Sequence, residues 1–341
     1  FFCSGEDVEP IFKLTGDDAV NVRNQAAKFF TNFVFNGTLL EDEELKGSKQ
    51  KNKQIVNEAQ LNKFASLASD FSESELTNSI EAFSPLLECL QNWDLISEII
   101  LSPDYKKERN LFARILSISA SFVSEDEVSD LTVAMVAHLQ KQKDQGLLEL
   151  FKKNNTELTY LTQILQYMDI TTLSGASHER QFKMLLEKLH NLFKSSKSKP
   201  VYMNIINGIY QWTKAKKKKS NLSKLANAEL DNIAKDFSSL KGADKTKLDK
   251  FLAVATFHDF SKNTKLRDYL KEITDTEDSE EETNDENISA IALKCLETLY
   301  IWDIKRLKDK DEKDKTEYFA EFDSLQRIFI QNLNSPALDI K

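Results

Sequence analysis

The side chains of this 341-residue chain that could do acid–base, nucleophilic or metal chemistry are four histidines, three cysteines and a large set of carboxylates. Their spacing supports none of these chemistries. Cys3, Cys89 and Cys295 are odd in number and far apart, so neither a C-x-x-C metal pair nor a disulfide framework is available, and a reducing compartment is expected. His138, His178, His190 and His258 form no H-E-x-x-H. The chain also has no G-x-S-x-G elbow, no glycine-rich phosphate loop ending in Lys-Ser/Thr and no G-x-G-x-x-G turn. His190 lies beside an apolar stripe, and Cys295 lies inside the Ile291/Leu299 stripe, where a small buried hydrophobe is expected rather than a thiolate. Paired carboxylates fall in acidic runs, where hydration keeps their pKa values ordinary and no apolar pocket raises one. The expectation is a non-enzyme with no catalytic residue, no metal and no cofactor.

Phosphate contact is the exception. Lys214, Lys216, Lys217, Lys218 and Lys219, followed by Lys224, form a close-set basic run of the kind that displaces counterions and holds double-stranded DNA without reading its sequence. Nearby Tyr210 and Trp212 could stack on bases, but Val201, Ile205, Ile209 and Trp212 share one helical face, which assigns these aromatics to a core. The net charge of −9 argues against a surface given over wholly to nucleic acid. Thr274, Thr276 and Ser279 stand among acidic residues, a context that suits acid-directed kinases or a plain acidic spacer.

These residues must be carried by helices. With 8 Gly and 5 Pro, the chain lacks the turn residues a many-stranded sheet needs. Apolar positions recur with helical spacing: Phe182, Leu185, Leu186, Leu189, Leu192, Phe193; Val22, Ala26, Phe29, Phe30, Phe33; Leu111, Ile115, Leu116, Ile118, Phe122; Ile288, Ile291, Ala292, Cys295, Leu299, Trp302; and Phe322, Leu325, Ile328, Phe329. Polar breaks separate them at Gly16–Asp18, Ser102–Asp104, Ser124–Glu127, Gly175–Ser177, Lys199–Pro200 and Gly242–Asp244, with capping-box spacing at Ser124 and Glu127. On the order of fifteen helices result. Pairing them at the ~40–47 residues of two-helix repeats gives about seven or eight hairpins, without a clean internal period. Charged loops are expected near 41–53, 214–220 and 274–287, as insertions within one solenoid spanning 1–341. No apolar run reaches the roughly 18 residues of a membrane span. The start Phe1-Phe2-Cys3-Ser4 reads as that of an excised fragment.

Four landmarks resemble the stromalin (SA/STAG) family, the helical-repeat subunit of cohesin. The first is Leu76–Leu101, with Leu90-Gln91-Asn92-Trp93-Asp94-Leu95-Ile96. The second runs from Leu147-Leu148-Glu149-Leu150-Phe151 through Ile164-Leu165-Gln166-Tyr167-Met168-Asp169 to Glu179-Arg180-Gln181-Phe182. The third is Phe257-His258-Asp259 with Thr264-Lys265, and the fourth joins Ala292–Leu296 to Ile301-Trp302-Asp303-Ile304. In order and spacing they are similar to the C-terminal half of that family, in a divergent fungal form. The resemblance implies an all-α, HEAT-like α-α superhelix, a solenoid of antiparallel helical hairpins. It further implies a scaffold that binds the kleisin subunit of cohesin, meets other cohesin subunits and regulators, and supports DNA association in the nucleus for sister chromatid cohesion and chromosome segregation. A wall of stacked hairpins suits an extended partner that folds on binding. The residues expected to meet kleisin are Phe257 or Phe260 as anchor, with Asp259, Lys262, Lys265, Arg267, Lys305 and Arg306. The other reading of the same bulk features is a helical-repeat adaptor of another nuclear complex or a transport receptor.

Overall fold

The computed structural model describes residues 5–35, 49–140, 146–214, 221–237, 240, 242, 244–275 and 286–307. Among them are fifteen α-helices and no strand. The described residues fall into two compact units, one up to Ala226 and one from Asn227 onward.

In the first unit the helices are α1 (Gly5–Lys13), α2 (Val20–Phe30), α3 (Lys49–Leu67), α4 (Glu73–Phe83), α5 (Trp93–Leu101), α6 (Arg109–Ser121), α7 (Val128–Leu139), α8 (Leu147–Leu150), α9 (Asn155–Gln163), α10 (Ala176–Ser195), α11 (Lys199–Thr213) and the start of α12 (Asn221–Lys235). Helices α4, α6, α9 and α11 stack one on the next, and α5, α7 and α10 stack likewise beside them, so each hairpin contributes one helix to each of two layers. This is the stacking of HEAT-like repeats, in which a helix with a wide apolar stripe is covered by the repeats before and after it. The stripe of α10 behaves as its spacing requires: Phe182, Leu185, Leu186, Leu189, Leu192 and Phe193 are all buried. At the amino-terminal end Phe12 sits at the centre of an aromatic cluster, 5.1 Å from Phe30, 5.4 Å from Phe71 and 5.8 Å from Phe64 between ring centroids.

The second unit contains the rest of α12, α13 (Lys245–Ala255), α14 (Thr264–Asp275) and α15 (Glu286–Leu307). Arg267 at the start of α14 meets Asp303 near the end of α15, and Ser289 at the start of α15 donates to the Ile273 carbonyl at the end of α14, so the two helices are antiparallel. Helix α15 also lies along α13, with Cys295 over the Leu248 carbonyl and Trp302 over that of Ala255.

A 47-residue step recurs between equivalent positions of successive repeats. Asn110 of α6 donates to Glu157 of α9, Trp212 of α11 to the Leu165 carbonyl, and Trp302 of α15 to the Ala255 carbonyl. Both indoles bond a carbonyl at the carboxyl end of a helical segment one repeat back, where helical carbonyls lack intrahelical partners. Close approach makes the first of these bonds possible. A Cβ on Gly208 would stand 2.6 Å from the Leu165 Cβ, so glycine lets α11 settle onto the 3-10 turn Ile164–Tyr167.

Several sequence expectations change. In α2 the inward face is Arg23, Ala26, Ala27 and Phe30, while Val22 and Phe33 are 40% and 69% exposed. Arg23 takes a core-facing place because its guanidinium bonds the Asp18 carbonyl at 3.0 Å and Glu81 at 2.5 Å. The π-helical turn Thr31–Phe35 shifts the register and swings Phe33 outward. The capping box forms at Ser72 and Glu75, which opens α4. At Ser124 the hydroxyl donates to Glu127 instead of accepting from a backbone amide, and α7 begins at Val128. Helix α3 starts at Lys49, so the last residues of the expected 41–53 loop are helical. Residues 274–275 and 286–287 of the expected acidic loop belong to α14 and α15. Lys214 of the expected 214–220 loop closes α11, and the rest of the three charged loops, Thr276 and Ser279 among them, and the Phe322–Phe329 stripe lie outside the described residues.

Gly208→Ala should destabilise the protein by about 1–2 kcal/mol, the upper part of the ~1–3 kcal/mol overpacking range less the ~1 kcal/mol of helix propensity that alanine adds. Urea unfolding measures it. Stability equal to or above wild type would show that α11 can lift off Leu165 at no cost.

Candidate functional site

His138 Nε2 lies 2.8 Å from Asp94 Oδ1, and His178 Nδ1 donates to the Ser174 carbonyl at 2.7 Å; both contacts tie structure together. Burial pushes the Cys89 thiol up to about 12 and raises that of Cys295 further, the wrong direction for a nucleophile. No group of His, Cys, Asp and Glu among the described residues could hold a metal ion. No described helix is long and apolar enough to cross a membrane. An open cleft of about 310 Å³ is lined by Glu73, Asn155, Thr156, Thr159, Tyr160, Gln163 and Ser198. The Tyr160 phenol in it is raised by partial burial and then by the Glu73 charge, which keeps it protonated.

Binding geometry is better developed at one end of the second unit. There the α13–α14 connection, the first turn of α14 and the last turns of α15 meet. The connection is held by side chains. Asp259 Oδ1 accepts from the Ser261 amide at 2.9 Å and from its hydroxyl at 2.6 Å, a local turn of the kind short acidic side chains make. Asn263 Oδ1 accepts from the Leu266 amide and caps α14. Phe260 is buried, 5.0 Å from Phe251 and 4.9 Å from the His258 ring, while His258 Nδ1 stands 3.5 Å from Asp231.

Arg267 joins these pieces. Its guanidinium donates to the Ser261 carbonyl at 3.0 Å and to Asp303 Oδ2, and it lies 5.1 Å from the Tyr300 ring centroid. The Arg267 and Asp303 side chains are only 16% and 15% exposed. One residue before Asp303, the Trp302 indole donates to the Ala255 carbonyl at 2.7 Å, so loop, α14 and α15 are tied at adjacent positions.

The residues expected to meet a partner therefore divide. Asp259, Phe260 and Arg267 are built into the fold of this end. Phe257 is half-buried, Lys262 and Lys265 are exposed, and Lys305 is exposed with its ammonium 4.4 Å from the Trp302 ring centroid. Arg306 belongs to α15. Sequence reasoning missed Ser261, Trp302 and Asp303 as the holding residues; the Trp-Asp step at 302–303 was visible, but its partner 36 residues away was not. Of the basic run, Lys214 closes α11 with its ammonium 4.2 Å from the Tyr210 ring centroid, and Lys224 is exposed on α12. Lys216, Lys217, Lys218 and Lys219 lie outside the described residues. Trp212 is 1% exposed and is core, as its face predicts.

Comparison with known proteins adds a family. Residues 121–302, more than half of the chain, match the family described as cohesin subunit SCC3/SA, HEAT-repeats domain. No curated protein matches. Among solved structures, one engineered protein aligns at 13% identity over 87% of this chain and 97% of its own, with a TM-score of 0.30. Another aligns at 13% identity over 94% and 98%, with a TM-score of 0.20. Superpositions this loose carry no argument.

Removing one member of the Arg267–Asp303 pair should cost about 2–3 kcal/mol. That is below the ~3–5 kcal/mol of a fully buried pair, because part of each side chain stays wet. Asp303→Ala and the double change Arg267→Met with Asp303→Leu can be compared by urea unfolding. The single change should be the less stable of the two, and wild-type stability in Asp303→Ala would show that the pair holds nothing.

Proposed function

Since the chain belongs to the SCC3/SA family of cohesin subunits, we propose that it is a non-catalytic scaffold of the cohesin complex and that the α13–α15 end of its second unit binds an extended segment of the kleisin subunit. The observation that carries this reading is the division of charge at that end. Arg267, Asp303 and Asp259 are engaged within the fold, while Lys262, Lys265 and Lys305 are presented outward on a backbone those contacts hold still. Long charged side chains on a pre-organised surface select and orient a partner without needing a deep pocket. On this reading the protein works in the nucleus on chromosomes, among other cohesin subunits and regulators, and contributes to sister chromatid cohesion. The engaged carboxylates and the absence of an activated nucleophile among the described residues fit a scaffold better than an enzyme.

Contact with double-stranded DNA is the second part of the proposal, supported by exposed Lys214 and Lys224 flanking the basic run.

Co-expression with a cohesin kleisin should give a stable one-to-one complex, and the pair Lys262→Glu with Lys265→Glu should weaken it about tenfold or more. Kleisin retained at the wild-type level would remove this end from consideration. For DNA, gel shifts across a salt series should show the log–log slope flattened by ~0.9 for each phosphate-contacting lysine lost among Lys214, Lys216–Lys219 and Lys224. If alanines there leave slope and affinity unchanged, the run is a spacer.

A further inference from the structure

Lys305 and the side chains around it say more about the chemistry of the occupant. This deepens the kleisin reading and rests on it for the identity of the partner. Within a chain of net charge −9, three ammonium groups stand outward at one end of the α14–α15 hairpin. The Arg267–Asp303 contact shows that the start of α14 and the end of α15 lie side by side, which brings Lys262 and Lys265 to the same end as Lys305. Lys262 and Lys265 make no ion pair among the described residues, and Lys305 rests against an aromatic face instead of a carboxylate. The nearby acids are turned inward or sideways: Asp303 to Arg267, Asp259 to Ser261, Asp231 toward His258. Asp268, exposed three residues beyond Lys265, is the carboxylate that follows it most closely along α14.

Apolar surface accompanies them. Ile301 is 43% exposed, and Phe257, Trp302 and Ile304 are half-buried. An ammonium over an indole is a modest attraction at an exposed position, and one that a carboxylate can replace with a charge-assisted hydrogen bond. Lys305 therefore covers part of Trp302 through a contact that an anion can exchange for a stronger one. Drawing it toward an anion opens the outer face of a ring whose N–H stays fixed on the Ala255 carbonyl.

We propose that the segment seated here is acidic and carries an apolar side chain, that its carboxylates pair with Lys262, Lys265 and Lys305, and that its apolar group takes the face of Trp302 that Lys305 leaves. Phosphate-bearing segments and nucleic acid are the other anions that could reach these lysines. The apolar surface beside them favours a peptide.

Trp302 reports on the event. Of the three tryptophans, Trp93 and Trp212 are 3% and 1% exposed, so a surface ligand changes chiefly the emission of Trp302. The probes are synthetic peptides without aromatic residues, one alternating Glu-Glu-Leu, one Gln-Gln-Leu and one Glu-Glu-Ser, titrated into the full chain. The Glu-Glu-Leu peptide should produce a saturable emission change at about tenfold lower concentration than either other peptide. The change should weaken as salt rises, vanish in Trp302→Phe, and be lost in the triple variant Lys262→Gln, Lys265→Gln, Lys305→Gln, whose substitutions lie on the surface. Equal binding of the Gln-Gln-Leu peptide overturns the acidic chemistry. Equal binding of the Glu-Glu-Ser peptide, or a short duplex DNA that outcompetes Glu-Glu-Leu, overturns the apolar part. Co-purification with kleisin is scored separately. Kleisin binding without a preference for Glu sinks this proposal alone, and a preference for Glu-Glu-Leu without kleisin binding sustains it while removing kleisin as the occupant.

Discussion

An amphipathic helix in this protein cannot hide its stripe within its own hairpin, and the helix of the next repeat has to cover it. That single requirement sets the two layers of the first unit and the pairing of α13 with α15 in the second. It also explains why the register between repeats is fixed by polar bonds as well as by packing. Apolar stripes slide past one another at small cost, since any aliphatic surface covers any other. An indole N–H that must find a carbonyl cannot slide. Trp212 on Leu165 and Trp302 on Ala255 each satisfy a carbonyl at a helix end and fix one repeat against the last at the same 47-residue offset.

The same logic accounts for what the amino-acid order revealed and what it hid. Stripes such as Phe182–Phe193 were legible because spacing alone decides them, and Trp212 was rightly assigned to the core from the company of Val201, Ile205 and Ile209. Helix α2 was misjudged because a buried arginine, satisfied by Asp18 and Glu81, occupied a core-facing place that a hydrophobicity pattern reads as surface. The π-turn after it then shifted the phase. The repeat period stayed hidden because it resides in contacts between chemically unlike partners, an indole and a backbone carbonyl or an amide and a carboxylate, and these leave no identical residues at matching positions. Local capping fared unevenly: Ser72 and Ser124 both have a glutamate three residues on, yet only Ser72 turns its hydroxyl to accept from the helix.

The candidate site shows a related limit. Phe257, Asp259, Lys262, Lys265 and Arg267, with Lys305 and Arg306 one repeat later, are expected from sequence to share one binding wall. Folding sorts them by reach. Aspartates 259 and 303 are short and bond to what lies beside them, Ser261 and Arg267. A guanidinium with two faces and several donors can serve a carbonyl, a carboxylate and an aromatic ring at once, and Arg267 does so. Lysines make weaker and less directional contacts, and their long stems carry the charge past the backbone into water.

In the proposed complex, holding and recognising would thus fall to different residue types at one place. The holding residues act by keeping the backbone still, so their influence on a partner is indirect and equal for every ligand, whereas each lysine acts on anions alone. A partner that carries few carboxylates gains nothing from this arrangement however well the loop is held. In the proposed complex, selectivity at the α13–α15 end would therefore rest on the ammonium groups and the apolar side chains near them, and affinity on the rigidity that Arg267, Trp302 and Asp303 supply.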